Sequence, residues 1–225
     1  MDRIGMLIWF VTYMTGAVLY EIYIVHMFQQ NSYKPREYRE WMQVHSNVGR
    51  LLGKSLYAVI SLPLVLVGNL GCLIGAIVMN MMTILVNKPR QAKKPLVYTM
   101  RVRRMLVTTA VLYMIGMLVS LTAGEYWVRA GECILLVLFL LQPFLILLVN
   151  WINRPVEQAI DRHYVSDAAR ILREMPNLTV IGVTGSYGKT SVKYFLNTLL
   201  SSRFNVLQTP GNYNTTLGVV RTIRE

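Results

Sequence analysis

The stretch LTVIGVTGSYGKTSVKYFLNTLL, Leu178 to Leu200, decides the fold. Its opening, Leu178 to Gly185, is a short β-branched apolar run that ends in glycine, the composition of a buried parallel strand. GSYGKTS follows, and then Val192, Phe195, Leu196 and Leu199 recur at helical spacing. Downstream, Asn205 to Gln208 reads as a second strand, TPGNYNTTLG as a loop, and Val219 to Arg224 as the start of another helix. Strand, glycine turn, helix and strand predict one βαβ unit, the start of an α/β P-loop domain with a parallel sheet.

The turn has the composition of a phosphate cradle. Glycines let backbone N–H groups converge on oxygens, a helix start adds free N–H groups and a positive dipole end, and a lysine neutralises phosphate charge. Gly185 and Gly188 shape the bend, with Ser186 and Tyr187 between them; Lys189 brings the charge, Thr190 a hydroxyl suited to Mg2+, and Ser191 a second hydroxyl. The general motif wants four residues between its glycines, whereas two separate Gly185 from Gly188 and five separate Gly182 from Gly188. Context carries the reading: the GKT directly follows an apolar run and directly opens an amphipathic helix. The bland alternative is a tight turn whose lysine merely starts a helix.

Upstream, Arg154 to Met175 predicts an amphipathic helix with Ile160, Tyr164, Ala168, Ile171 and Leu172 on one face, broken at Met175-Pro176-Asn177. Before it the composition changes. The chain is 54% hydrophobic and only 15% charged, and its long apolar blocks fill the first two thirds. A span needs about 20 mostly apolar residues. Ile4 to Phe28, Met105 to Ala123 and Cys133 to Ile152 each fit one span, the last closed by the Asn-Arg-Pro stop at 153–155. Leu56 to Val86 is interrupted by Pro63 and by Gly68-Asn69-Leu70-Gly71, and reads either as one kinked span or as a hairpin turning near Asn69. One span is the simpler reading, because it needs no shielded turn. The expectation is thus an α-helical membrane region of three to five segments.

The net charge of +12 excludes little by itself, but its placement argues against nucleic acid. Lys88, Arg90, Lys93, Lys94, Arg101, Arg103 and Arg104 sit between apolar blocks, where positive charge orients spans and meets anionic lipid. That link is expected inside the cell, which places the C-terminal part there too. Glu21, inside the first span, is expected near the interface or paired within the bundle. Cys72 and Cys133 read as small buried hydrophobes, not as a disulfide or metal site.

At these residues the sequence resembles the Mur ligase family. VIGVTGSYGKTSVKYFLNTLL is similar to its signature strand and loop, whose glycine spacing is shorter than that of the general motif. VLQTPGNYNTTLGV is similar to its second nucleotide-side loop, above all in the tripeptide–D-alanyl-D-alanine ligase branch, with Thr209, Gly211, Asn212 and Asn214 matching. The resemblance spans Val180 to Glu225, about a fifth of the chain. More loosely, KKPLVYTMRVRRMLVT and NRPVEQAIDRHYVSDAARIL are similar to membrane-anchored Mur-ligase-like proteins of Gram-positive bacteria.

The resemblance implies an ATP-dependent carboxylate–amine ligase in peptidoglycan precursor synthesis that activates a carboxylate as an acyl phosphate. ATP and Mg2+ are its implied cofactors, and membrane lipid and a UDP-sugar-peptide or other cell-wall precursor its implied partners. It implies that Lys189 is catalytic and holds the β/γ-phosphates, that Thr190 supports Mg2+, and that Asn212 and Asn214 work near the γ-phosphate; ordinary turn chemistry accounts for those asparagines equally well. The expected organisation is a multi-span bacterial membrane anchor at 1–152, an amphipathic linker at 153–177, and an incomplete ATP-binding central domain at 178–225. The chain is expected to be an N-terminal fragment, inactive alone. The competing readings are a non-enzymatic membrane protein with a nucleotide- or partner-binding tail, and a transporter-like role for the spans.

Overall fold

The structure is a computed structural model that describes residues 3–67, 69–88, 94–122, 125–211, 213 and 215–224. It divides into two compact units, Met1–Arg154 and Pro155–Glu225. The helices are α1 (Arg3–Gln30), α2 (Pro35–Gln43), α3 (His45–Leu66), α4 (Leu70–Asn87), α5 (Met100–Thr122), α6 (Glu125–Arg173), α7 (Lys189–Leu200) and α8 (Thr216–Arg224).

In the first unit α1 is the central element, packed against α3, α4 and α5. At 28 residues it is about 42 Å long, more than the ~30 Å of a bilayer core. It ends where Ser32 and Tyr33 adopt left-handed backbone, with φ of 56° and 57°. That conformation is disfavoured for any residue with a Cβ. Tyr33 is held in it by its contacts: its hydroxyl accepts from Gln29 Nε2 at 2.8 Å, its ring meets Phe28 edge-on, and the Arg101 guanidinium lies 4.3 Å over it. The short helix α2 then tucks Tyr38 against Phe28, ring centroids 5.3 Å apart.

The interrupted block is two helices, not the single span favoured from sequence. Asn69 N-caps α4, its side-chain oxygen accepting from Cys72 N at 2.7 Å. Capping satisfies an amide that the chain break would otherwise leave without a partner. Along the α1–α4 seam Gly16 sits so close to Thr83 that a Cβ there would lie 2.9 Å from the Thr83 methyl. Asn80 Nδ2 donates to Trp9 O at 3.2 Å and to Thr12 Oγ1 at 3.3 Å across the same seam.

The interior of this unit mixes apolar and polar side chains, and much of its outer face is aliphatic. Thr12, Glu21, Ser61, Asn80, Thr83, Asn87, Thr109 and Gln142 are buried. Leu7, Val11, Ile74, Leu85, Val107, Met114 and Phe144 face outward. Polar groups inside and aliphatic groups outside are what a lipid solvent favours. Four stretches among the described residues are long and apolar enough to cross a membrane: Leu7–Gln30, Asn47–Val65, Leu70–Asn87 and Val137–Arg173. Glu21, expected at an interface or paired, is fully enclosed. Its carboxylate accepts from Thr109 Oγ1 and from Gln142 Nε2, each at 3.0 Å, and so ties α1 to α5 and α6.

Basic residues collect at one end of this unit. Lys54 Nζ donates to Val86 O at 3.1 Å, at the C-terminus of α4, and lies 4.2 Å over the Tyr23 ring. The segment before α5 folds onto the end of α1: Gln29 Nε2 donates to Val97 O at 2.9 Å and Gln29 Oε1 accepts from Val97 N at 3.0 Å. Cys72 is half-buried rather than buried, and the Cys133 side chain lies outside the described residues.

Two further expectations are corrected. The stop at 153–155 is not made: α6 runs as one helix through Pro143 and Pro155 to Arg173. Each proline forfeits a backbone bond, but strongly helical sequence on both sides carries the helix through. The α/β domain start is not formed either. Among the described residues there is no β-strand, and 178–185 and 205–208 have no regular structure. A parallel strand takes both its hydrogen bonds and its burial from neighbours, and two short runs alone are marginal. Val180 and Ile181 accordingly stand 75% and 54% exposed.

In the second unit the tail of α6 and α8 meet. Arg224 Nε pairs with Asp167 Oδ2 at 2.9 Å, its guanidinium lies 4.5 Å over the Tyr164 ring, and Ala168 and Val220 are buried.

Candidate functional site

The bend between residue 184 and α7 is built by backbone that only glycine enters freely. Gly185 has φ 147° and Gly188 φ 73°, and Gly188 is the N-cap of α7. Between them Ser186 and Tyr187 bend outward, Tyr187 being 96% exposed. Without a side chain, Gly188 leaves the first amides of the helix uncapped. The first bond of α7 is Val192 N to Gly188 O at 2.9 Å. The N–H groups of Lys189, Thr190 and Ser191 therefore precede the helical ladder and point out at its positive end.

Lys189 folds back over this bend. Its Nζ donates to Gly185 O and, at 3.5 Å, to Ser186 O. An ammonium held by two neutral carbonyls beside uncapped amides is a site an anionic oxygen can take over, because charge-assisted bonds are about twice as strong as neutral ones. Thr190 and Ser191 are exposed on the first turn. The structure thus brings Gly185, Ser186, Tyr187, Gly188, Lys189, Thr190 and Ser191 into one bend. Asn212 and Asn214 lie outside the described residues.

One residue escaped the sequence reading. Lys193, one helical turn beyond Lys189, donates from Nζ to Thr209 O at 2.6 Å, to Gly211 O at 2.5 Å and to Thr209 Oγ1 at 3.3 Å. The signal was there as two lysines at i and i+4, which share a helix face. Its partner, 16 residues away, was not visible. Gly211 has φ 49°, the left-handed turn that lets two carbonyls face one ammonium. Among the described residues no three His, Cys, Asp or Glu side chains gather as a metal site. The bend thus offers uncapped amides, one ammonium and the exposed Thr190 hydroxyl, groups that an anionic oxygen can meet.

Comparison with known proteins bears on this segment. The Mur ligase middle domain matches residues 183–225. A UDP-N-acetylmuramoyl-tripeptide--D-alanyl-D-alanine ligase of Treponema pallidum (strain Nichols) is 41% identical over 51 residues, covering 23% of this chain and 11% of that protein. An enzyme of the same name from Synechocystis sp. is 43% identical over 53 residues, covering 24% of this chain and 12% of that protein. The chain thus aligns with about a tenth of the length of these curated relatives. No solved structure matches it. The likeness to the Mur ligase family, resting on the middle-domain segment at 183–225, begins at the bend that the two positive-φ glycines and Lys189 form.

Proposed function

We propose that the chain belongs to a membrane-anchored, ATP-dependent carboxylate–amine ligase of Mur type that works on a peptidoglycan precursor. The observation that carries this is the coincidence of the middle-domain match with the bend at 185–190, where uncapped helix amides and Lys189 converge. In this reading the bend holds the phosphates, Lys189 moves from the Gly185 and Ser186 carbonyls onto phosphate oxygen, and the Thr190 hydroxyl supports Mg2+. Bound ATP supplies the phosphoryl group that activates a carboxylate for attack by an amine. The protein's own contribution at this bend is fixed dipoles and one cation, set where phosphate charge accumulates.

The aliphatic outer face of the first unit and its four span-length stretches support the membrane anchor, and its basic end supports a cytoplasmic position for the segment after α6. A cell-wall precursor carrying a UDP-sugar-peptide is the proposed substrate class, by likeness to the named relatives.

The test is calorimetric titration of MgATP into the full-length protein and its Lys189→Ala variant. Losing one charge-assisted contact of about 1.5–3 kcal/mol lowers affinity by about 10- to 150-fold. Equal affinity in the two proteins removes the assignment.

A further inference from the structure

Arg101, at the start of α5, is a half-buried cation whose partners among the described residues are all neutral. Its Nη2 donates to Asn150 Oδ1 at 3.2 Å, and its guanidinium lies 4.3 Å over the Tyr33 ring. Its Nε is buried with no acceptor. A guanidinium presents a planar fork of N–H donors and stays charged. Here one edge meets an amide, one face meets a ring, and no carboxylate among the described residues balances the charge. The surroundings hold it in place. The Gln29 side chain bonds to the Tyr33 hydroxyl and to both backbone groups of Val97, which fixes the end of α1 to the segment ahead of α5. Asn150 adds α6, so three elements pin one guanidinium.

The charge around it has the wrong sign for a helix start. Arg101, Arg103 and Arg104 lie in the first five residues of α5, which has no acid in its first turn. Thr99 Oγ1 accepts from the Val102 amide at 3.3 Å but brings no charge. The N-terminal end of a helix is already positive, so cations there are disfavoured. An anion at Arg101 reverses that balance. The position selects its source. The span of α1 ends at Gln30, three residues before Tyr33, and Met100 and Trp151, the chain neighbours of Arg101 and Asn150, are exposed. Arginine beside exposed tryptophan at the end of a span belongs to headgroup depth, where the inner leaflet supplies anionic phosphate.

From this juxtaposition we infer that Arg101 is the centre of a phosphate site at the cytoplasmic membrane boundary, occupied by the headgroup of an anionic phospholipid. The fork can meet two phosphate oxygens at once, while Tyr33 and Asn150 keep it oriented. Arg103 and Arg104 add attraction for a net negative headgroup. The bound lipid ties together α1, α5 and α6 at the basic end of the first unit. The inference rests on the membrane reading of that unit and is independent of the nucleotide reading.

The experiment uses the full-length protein in detergent micelles, with Arg101→Gln, Arg101→Lys and Arg103→Gln. Phosphatidylglycerol is titrated into each, and bound lipid is counted by native mass spectrometry. Phosphatidylcholine is the control: it has the same phosphodiester, but a cationic choline that the neighbouring arginines repel. Wild type should prefer phosphatidylglycerol by about tenfold or more, and Arg101→Gln should lose about tenfold or more of that affinity. Arg103→Gln, which removes the same charge from an exposed neighbour, should stay within about twofold. Arg101→Lys keeps the charge but not the fork and should lose about threefold or more. Unchanged affinity in Arg101→Gln overturns the site. So does an equal loss in Arg101→Gln and Arg103→Gln, which makes the basic end a diffuse charged patch, and so does a wild type that binds both lipids alike. Inorganic phosphate that displaces phosphatidylglycerol at equal concentration overturns the lipid source and assigns the site to a soluble phosphate. Melting in phosphatidylcholine shows whether Arg101→Gln folds; if it does not, Arg101→Lys decides, and wild-type affinity in that variant overturns the site.

Discussion

Replacing Gly16 by alanine tests how the first unit is held together. A Cβ at Gly16 would stand 2.9 Å from Thr83 Cγ2 and 3.4 Å from Thr83 Cβ. Normal carbon contacts are about 3.5–4.0 Å, so the overlap is more than half an ångström. Thr83 has no room to yield: it is 1% exposed, its Oγ1 bonds to Met79 O at 3.1 Å, and its carbonyl accepts from Asn87. The helices must then separate. The Asn80 bonds to Trp9 O and Thr12 Oγ1, already 3.2 and 3.3 Å, are the first to break. Overpacking costs about 1–3 kcal/mol. Each lost interhelical bond adds about 0.6 kcal/mol, for a total of about 2–4 kcal/mol. Gly75→Ala is the control, because its Cβ would meet Leu64 Cδ1 at an ordinary 3.6 Å. There the gain in helix propensity, up to about 1 kcal/mol, is not opposed. Thermal unfolding in detergent micelles reads both. Gly16→Ala should melt well below wild type and Gly75→Ala at or above it; equal melting of the two variants refutes the close α1–α4 seam.

Three other outcomes follow from the geometry. Glu21→Leu leaves the Thr109 hydroxyl and one N–H of Gln142, whose other N–H keeps Ala17 O, without their acceptor and should cost about 1–3 kcal/mol in the same melting assay, with Glu21→Gln, which keeps the shape and one acceptor, costing less. Gly188→Ala forces a side chain into φ 73° backbone at about 1–2 kcal/mol, so MgATP affinity should fall while the melting of the first unit is unchanged. A cysteine placed at exposed Arg203 should react with a membrane-impermeant thiol reagent only in inverted vesicles, as the basic end of the first unit requires.

What the sequence disclosed depended on how local the cause was. Helix α7 and the bend before it were legible, because Gly185, Gly188 and the periodic Val192, Phe195, Leu196 and Leu199 act within a few residues of one another. The apolar length of α1 was legible for the same reason. The hairpin of α3 and α4 was only half legible: Asn69 ahead of an apolar run is an N-cap signal, but a single span avoided a turn whose shielding no local feature could show. The strand reading of 178–185 failed because a strand is a relation between segments, and β-branched composition states a preference without supplying the partner. Lys193 escaped because its three acceptors come from a loop that only the folded chain brings to it. The enclosure of Glu21 likewise needs Thr109 and Gln142, each far along the sequence.

Amide exchange across residues 185–191 of the full-length protein in nanodiscs, with and without MgATP, reads the central claim at the atoms concerned. Saturating nucleotide should slow exchange at Lys189, Thr190 and Ser191, whose amides lie ahead of the first bond of α7. Exchange there that nucleotide leaves unchanged, or protection that arises only elsewhere in the chain, would contradict it.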